Sequence, residues 1–138
     1  MIALDGSLST PVICGAERKS IWEISAEIKE LAARAAKNAL KMEEVVGGSF
    51  SVSNLGMFGV DQFDAIINPP QCAILAIGVA KPHVVALPEG QMRIATVLRA
   101  TLSVDHRALD GAGAAAFLCA LRRRIEQPDY LRSATGGI

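Results

Sequence analysis

His106 is the side chain best placed to do chemistry, because an imidazole exchanges a proton near neutral pH. It stands in Ser103-Val104-Asp105-His106-Arg107-Ala108-Leu109-Asp110-Gly111, between a strand candidate and a helix candidate. Junctions of that kind bring side chains to a sheet edge, where open α/β sheets tend to bind ligands. Asp110, four residues on and beside a helix start, can stay ionised and hold the loop by hydrogen bonds. An isolated His-x-x-x-Asp is more simply a surface histidine next to a helix-capping aspartate, and both readings stand on spacing alone. Upstream, Phe50 and Val52 alternate with Ser49, Ser51 and Ser53, which gives a strand with one hydroxyl-bearing face. His83 follows Lys81-Pro82 without a partner in sequence and reads as solvated.

Other chemistry-bearing types lead nowhere. Gly111-Ala112-Gly113 lacks the spacing and the lysine of a phosphate loop and reads as close helix packing. Arg122-Arg123-Arg124 falls in a last helical turn, where cations suit the dipole. Cys14, Cys72 and Cys119 are scattered with no Cys-x-x-Cys, so no zinc site is expected, and Cys72 and Cys119 read as small core residues. His106 with Asp105 and Asp110 supplies too few ligands for another metal.

The elements that must position these residues follow from periodicity. Ile2 to Leu4 reads as a strand, Asp5-Gly6 as a turn, and Pro11 to Cys14 as a second short strand. Ser20 and Glu23 have capping-box spacing ahead of a stripe of Ile21, Ile24, Ile28, Leu31 and Ala35, a helix expected to end near Leu40 and to carry a Glu30/Arg34 pair. Gly56 and Gly59 open a loop toward Asn68-Pro69-Pro70. Cys72 to Ala80 reads as a strand buried on both faces and ended by Lys81-Pro82. Met92 to Asp105 reads as one long strand, with Ile94, Thr96, Leu98, Ala100, Leu102 and Val104 on one side. An Ala-rich helix follows, capped by Asp110, with Phe117, Leu118, Leu121 and Ile125 as its stripe and Gln127-Pro128 as its stop. The expectation is α/β: one domain over residues 1–138, a sheet covered by helices.

Composition bounds the partners. A chain of 138 residues is about one domain's worth. With 51% apolar and 20% charged residues it is no candidate for disorder. Fourteen basic residues against fourteen acidic remove the electrostatic case for nucleic acid or an anionic membrane, and also any repulsion between copies. No apolar run approaches the ~20 residues of a membrane span, and the first residues lack the pattern of a secretory signal. Three cysteines suit a reducing compartment. A soluble intracellular protein is expected.

Longer motifs add a resemblance. Gly48-Ser49-Phe50-Ser51-Val52-Ser53-Asn54-Leu55-Gly56-Met57-Phe58-Gly59, then Ile66-Ile67-Asn68-Pro69-Pro70-Gln71-Cys72-Ala73-Ile74-Leu75-Ala76-Ile77-Gly78, then Asp105-His106-Arg107 with Asp110-Gly111 occur in one order. Together with Ser25 to Ala32 they resemble the C-terminal catalytic domain of the dihydrolipoamide acyltransferases, core components of 2-oxoacid dehydrogenase complexes, from Leu8 to about Leu131. Asn54 to Gly59 with Asn68 to Gln71 looks most like the acetyl-transferring pyruvate dehydrogenase branch.

The resemblance implies a chloramphenicol-acetyltransferase-like fold with a mixed sheet. It implies acetyl transfer between the dihydrolipoyl group of a lipoyl domain and coenzyme A, without a metal. His106 is then the base that takes the thiol proton, Ser53 the hydroxyl donor to the oxyanion, and Asp110 the residue that keeps the loop in shape. In that family the histidine and serine of one site come from neighbouring subunits of a trimer, and trimers join into hollow cores with the other complex components. The implied compartment is the bacterial cytoplasm, or else the mitochondrial matrix. The family's domain extends upstream of Met1, and that half would carry part of the sheet, part of the coenzyme A surface and a basic partner for Asp110. The family usually has a basic residue where this chain has Cys14. Two alternatives stay open: a core-building fragment without a complete site, and a small-molecule acetyltransferase.

Overall fold

In the computed structural model, residues 2–4 and 7–127 are described. They fall into two compact units, one from the chain up to Ser49 together with the stretch from Leu109, the other Phe50–Ala108. The expected turn at Asp5-Gly6 and the expected stop at Pro128 lie outside the described residues.

In the first unit β1 (Ile2–Leu4) pairs antiparallel with β2 (Ser7–Ser9). The second strand therefore precedes the expected Pro11 to Cys14. That stretch instead lies against a loop, with Val12 N donating to Glu44 O at 2.7 Å; Pro11 has no N–H for a ladder. Helix α1 (Ile21–Ala35) starts as expected: Ser20 Oγ accepts from Glu23 N at 3.2 Å, and the Glu23 carboxylate accepts from Ser20 N at 2.7 Å. It ends earlier than the expected Leu40. Asn38 enters the left-handed region at φ 51, and Ala39 N turns back to Arg34 O at 2.9 Å. Arg34 also meets Glu30 at 3.4 Å and grips Glu44 in a two-pronged contact of 2.8 and 2.6 Å. That guanidinium, followed by the Lys41 amide, draws the Glu44 carboxyl down to about 2.

Helix α2 (Gly111–Glu126) is capped as expected, Asp110 Oδ1 accepting from Gly113 N at 2.7 Å. A Cβ on Gly113 would lie 2.6 Å from Leu109 Cδ1, the end of a side chain that can turn aside. The apolar stripe is present but not buried: Phe117 and Ile125 are 40% and 50% exposed, and no residue of α2 is buried. Cys119 is exposed rather than a core residue, since it lies off that stripe.

The second unit holds a mixed three-stranded sheet in the order β3 (Ser51–Asn54), β4 (Ala73–Ile77), β7 (Ala100–Val104). β3 runs parallel to β4, and β7 antiparallel to it. β4 is buried on both faces, Ile74 being 0% and Ala76 1% exposed. It is shorter than expected. Cys72 precedes it and is exposed, and Lys81-Pro82 does not end an element but begins β5 (Lys81–Ala86). Among the described residues β5 pairs only with β6 (Met92–Val97), a two-stranded ribbon in which a proline is tolerated.

The long strand expected over Met92 to Asp105 is two strands in two sheets, because the chain leaves one ladder and joins another at Leu98-Arg99. The facing also differs on β6. Ala95 and Val97 are the partly buried residues, while Met92 and Ile94 are exposed and sit beside exposed Val84 and Ala86. Gly78 closes the end of β4: Gly78 N donates to Arg99 O at 2.9 Å, and a Cβ there would fall 2.0 Å from Asp61 O. Among the described residues no helix is long and apolar enough to cross a membrane.

Candidate active site

Sheet register decides where each candidate sits. Ser51 and Ser53 pair with Ile74 and Ala76, which pair with Ser103 and Thr101, so four hydroxyls share one face of the sheet. The hydroxyl face of β3 is the buried one. Ser51 and Ser53 are 8% and 9% exposed, whereas Val52 is 46% exposed, the reverse of an ordinary half-buried strand. The two serines differ in what they touch. Ser51 Oγ donates to Gln71 Oε1 at 2.5 Å, while the Ser53 hydroxyl has no hydrogen-bond partner among the described residues. Sequence alone does not separate the two, since Gln71 is twenty residues away.

His106 follows β7. Asp105 N donates to Cys72 O at 2.8 Å, and Ala108 N donates to Asp105 O at 2.9 Å, so the histidine sits in a turn just beyond the sheet's end. Its imidazole is exposed, with no hydrogen bond or ion pair among the described residues. A pairing that spacing had not shown lies on either side of it: the Asp105 carboxylate bonds the backbone and side chain of Arg107. Those bonds, the side-chain one foremost, hold the Asp105 carboxyl at about 2, well below the usual range. The signal was present in the Asp-x-Arg order, because a short carboxylate bonds the amide two residues on.

The register does not bring His106 and Ser53 of one chain together. Ser53 is level with Ala76 and Thr101, and His106 comes five residues after Thr101. At ~3.3 Å per residue and ~4.8 Å per strand, Ser53 and the start of the histidine turn are about 16 Å apart. No hydrogen bond or shared reacting atom spans that distance. Asp110 belongs to the other unit and is engaged in the α2 cap.

The family model described as 2-oxoacid dehydrogenases acyltransferase (catalytic domain) matches residues 1–132. The chain belongs to this acyltransferase family. It is 45% identical over 127 residues to the dihydrolipoyllysine-residue acetyltransferase component of the pyruvate dehydrogenase complex of Rickettsia felis, covering 92% of this chain and 31% of that protein. The mitochondrial counterpart of Schizosaccharomyces pombe is 47% identical over 129 residues, covering 92% of this chain and 27% of that protein. Among solved acyltransferases, the Azotobacter vinelandii dihydrolipoamide acetyltransferase superposes with a TM-score of 0.88 at 32% identity, over 94% of this chain and 53% of that one. The cubic core of a pyruvate dehydrogenase multienzyme complex gives the same TM-score at 31% identity and the same coverage. The chain therefore has the acyltransferase fold and spans about 30% of the length of the relatives it matches.

Proposed function

We propose that the chain carries acetyl transfer between a dihydrolipoyl group on a partner lipoyl domain and coenzyme A, within a 2-oxoacid dehydrogenase complex core. One observation carries the reading: His106 and Ser53 lie in the stretch shared with an Azotobacter enzyme whose catalytic mechanism was probed at a serine, a histidine and an asparagine four residues further on. Asp110 stands four residues after His106, with a carboxylate in place of that amide.

The chemistry suits these side chains. A thiol with a pKa near ~8.5 is mostly protonated at neutral pH, so it needs a base. The His106 imidazole takes the thiol proton as sulfur attacks the thioester carbonyl carbon. The Ser53 hydroxyl donates a hydrogen bond to the carbonyl oxygen as it gains charge. When the intermediate collapses, the bond to the departing sulfur breaks and the imidazolium returns the proton to it. Thioester is exchanged for thioester, so the step is near thermoneutral.

The ~16 Å between Ser53 and the histidine turn supports a site completed by a second copy, with His106 from one and Ser53 from the next, in a closed ring such as a trimer. Asp110 caps α2, and its role in this reading is to keep the loop that follows His106 in shape. The relatives are bacterial and mitochondrial, which supports the bacterial cytoplasm as the compartment, with the mitochondrial matrix as the alternative.

The coverage of about 30% of the relatives favours a second reading, a core-building fragment without a complete site. Acetyl exchange between acetyl-coenzyme A and free dihydrolipoamide separates the two. Turnover abolished by His106→Ala supports the enzyme, and no turnover from a folded oligomer supports the fragment.

A further inference from the structure

Asp105 and Arg107 flank the histidine, and the chemistry proposed above uses neither. Asp105 is tied to the sheet through its amide on Cys72 O, and its carbonyl closes the turn by accepting from Ala108 N. Its carboxylate then spans the turn. Oδ1 accepts from Arg107 N at 2.9 Å and Nε at 3.0 Å, and Oδ2 accepts from Nη2 at 2.6 Å. The carboxylate side chain is 26% exposed and the guanidinium 92%. An exposed ion pair by itself contributes little to stability. Here, however, the contacts converge on the two residues either side of His106, whose own imidazole is held by no hydrogen bond among the described residues. The aim of that imidazole therefore comes from the backbone around it.

We propose that Asp105 and Arg107 are positioning residues that clamp the His106 turn in its working conformation. The clamp itself is a statement about the turn; its catalytic consequence rests on His106 being the base. Two rivals are distinguishable. Arg107, so exposed, could instead contact substrate directly, or the pair could serve only the general fold.

Hydrogen exchange over residues 104–109 reads the clamp without reference to activity. Asp105→Ala removes the acceptor of the Arg107 amide and should speed its exchange about tenfold, while Asp105→Asn keeps an acceptor and should stay within about threefold. In thioester exchange Asp105→Ala should lower kcat about 30-fold with both KM values within about twofold, since misplacing a catalytic group by ~1 Å can cost 10²-fold. Asp105→Asn and Arg107→Ala should each cost about fivefold, and the Asp105→Ala/Arg107→Ala double variant should be no worse than Asp105→Ala alone, because one clamp is removed once.

Should Asp105→Ala fail to fold, Asp105→Glu keeps the charge but carries the carboxylate one methylene away from the Arg107 amide, and it should reproduce the loss. Wild-type exchange and turnover in Asp105→Ala would overturn the clamp. So would an additive double variant, or an Arg107→Ala enzyme with raised KM for coenzyme A and unchanged kcat. If His106→Ala retains turnover, the assignment of the base fails while the exchange rates still judge the clamp.

Discussion

Mixing two inactive variants tests the two-copy site directly. His106→Ala removes the proposed base and should cost about 10²–10⁴ in acetyl transfer. Ser53→Ala removes the proposed oxyanion donor and should cost about 10²–10³. Ser53 is level with Thr101 across the sheet and the histidine turn begins beyond Asp105, about 16 Å away. The proposed site then joins the histidine of one copy to the serine of the next. In a closed ring of randomly mixed copies, an intact site forms where a Ser53→Ala copy supplies the histidine and a His106→Ala copy supplies the serine. With equal amounts that is one half times one half, so about a quarter of wild-type activity should return, whatever the number of copies in the ring. The assay is acetyl exchange with dihydrolipoamide on co-expressed variants, with mixing verified by native mass spectrometry. A fully mixed sample no more active than the mean of its parents would refute the reasoning.

Three further outcomes are expected. Ser53→Ala should lower kcat and leave KM for coenzyme A unchanged, because the role proposed for Ser53 is exerted only where the oxyanion forms; a raised KM at constant kcat would make Ser53 a binding residue. Gly78→Ala would drive a Cβ to 2.0 Å from Asp61 O, backbone against backbone, and should destabilise by at least the ~1–3 kcal/mol of ordinary overpacking; an unchanged urea midpoint would contradict the close approach. Arg34 holds the Glu44 carboxyl at about 2 against an ordinary 4.5, so its contribution is full above about 4.5 and lost as pH falls through about 2. Glu44→Gln should therefore lower the urea midpoint at neutral pH and flatten its decline between pH 4.5 and 2, and an identical pH slope in both proteins would refute this.

Local signals were legible where local physics decides them. The Ser20/Glu23 box and the Asp110 cap each need only residues within one turn, and both stand where spacing puts them. The burial of β4 was legible too, since a strand apolar at every position has no face to give to water. Boundaries set by non-local partners were not. The run from Met92 keeps strand character throughout, yet Val97 pairs with Lys81 and Ala100 with Ile77, and alternation cannot register a change of ladder. Cys72 and Cys119 show the same limit, because a small apolar residue type does not specify which side of an element meets the core.

The candidate site was legible in a different way. Alternation placed Ser51 and Ser53 on one face but assigned no depth to it, and apolar Phe50 and Val52 would ordinarily claim the interior. The structure turns the hydroxyls inward instead, against Ile74 and Ala76, with Thr101 and Ser103 completing the band. Burying hydroxyls costs free energy unless each finds a partner. Ser51 has Gln71, and the Ser53 oxygen, for which no hydrogen bond is found among the described residues, is not one of the fully buried atoms left unsatisfied. His106 is set beyond the last ladder bond, on a turn whose flanking residues Asp105 and Arg107 are bonded to each other. On the proposed reading each group waits at its own place on the sheet, and a second copy would bring the two together across the ~16 Å that the strand register puts between Ser53 and the histidine turn.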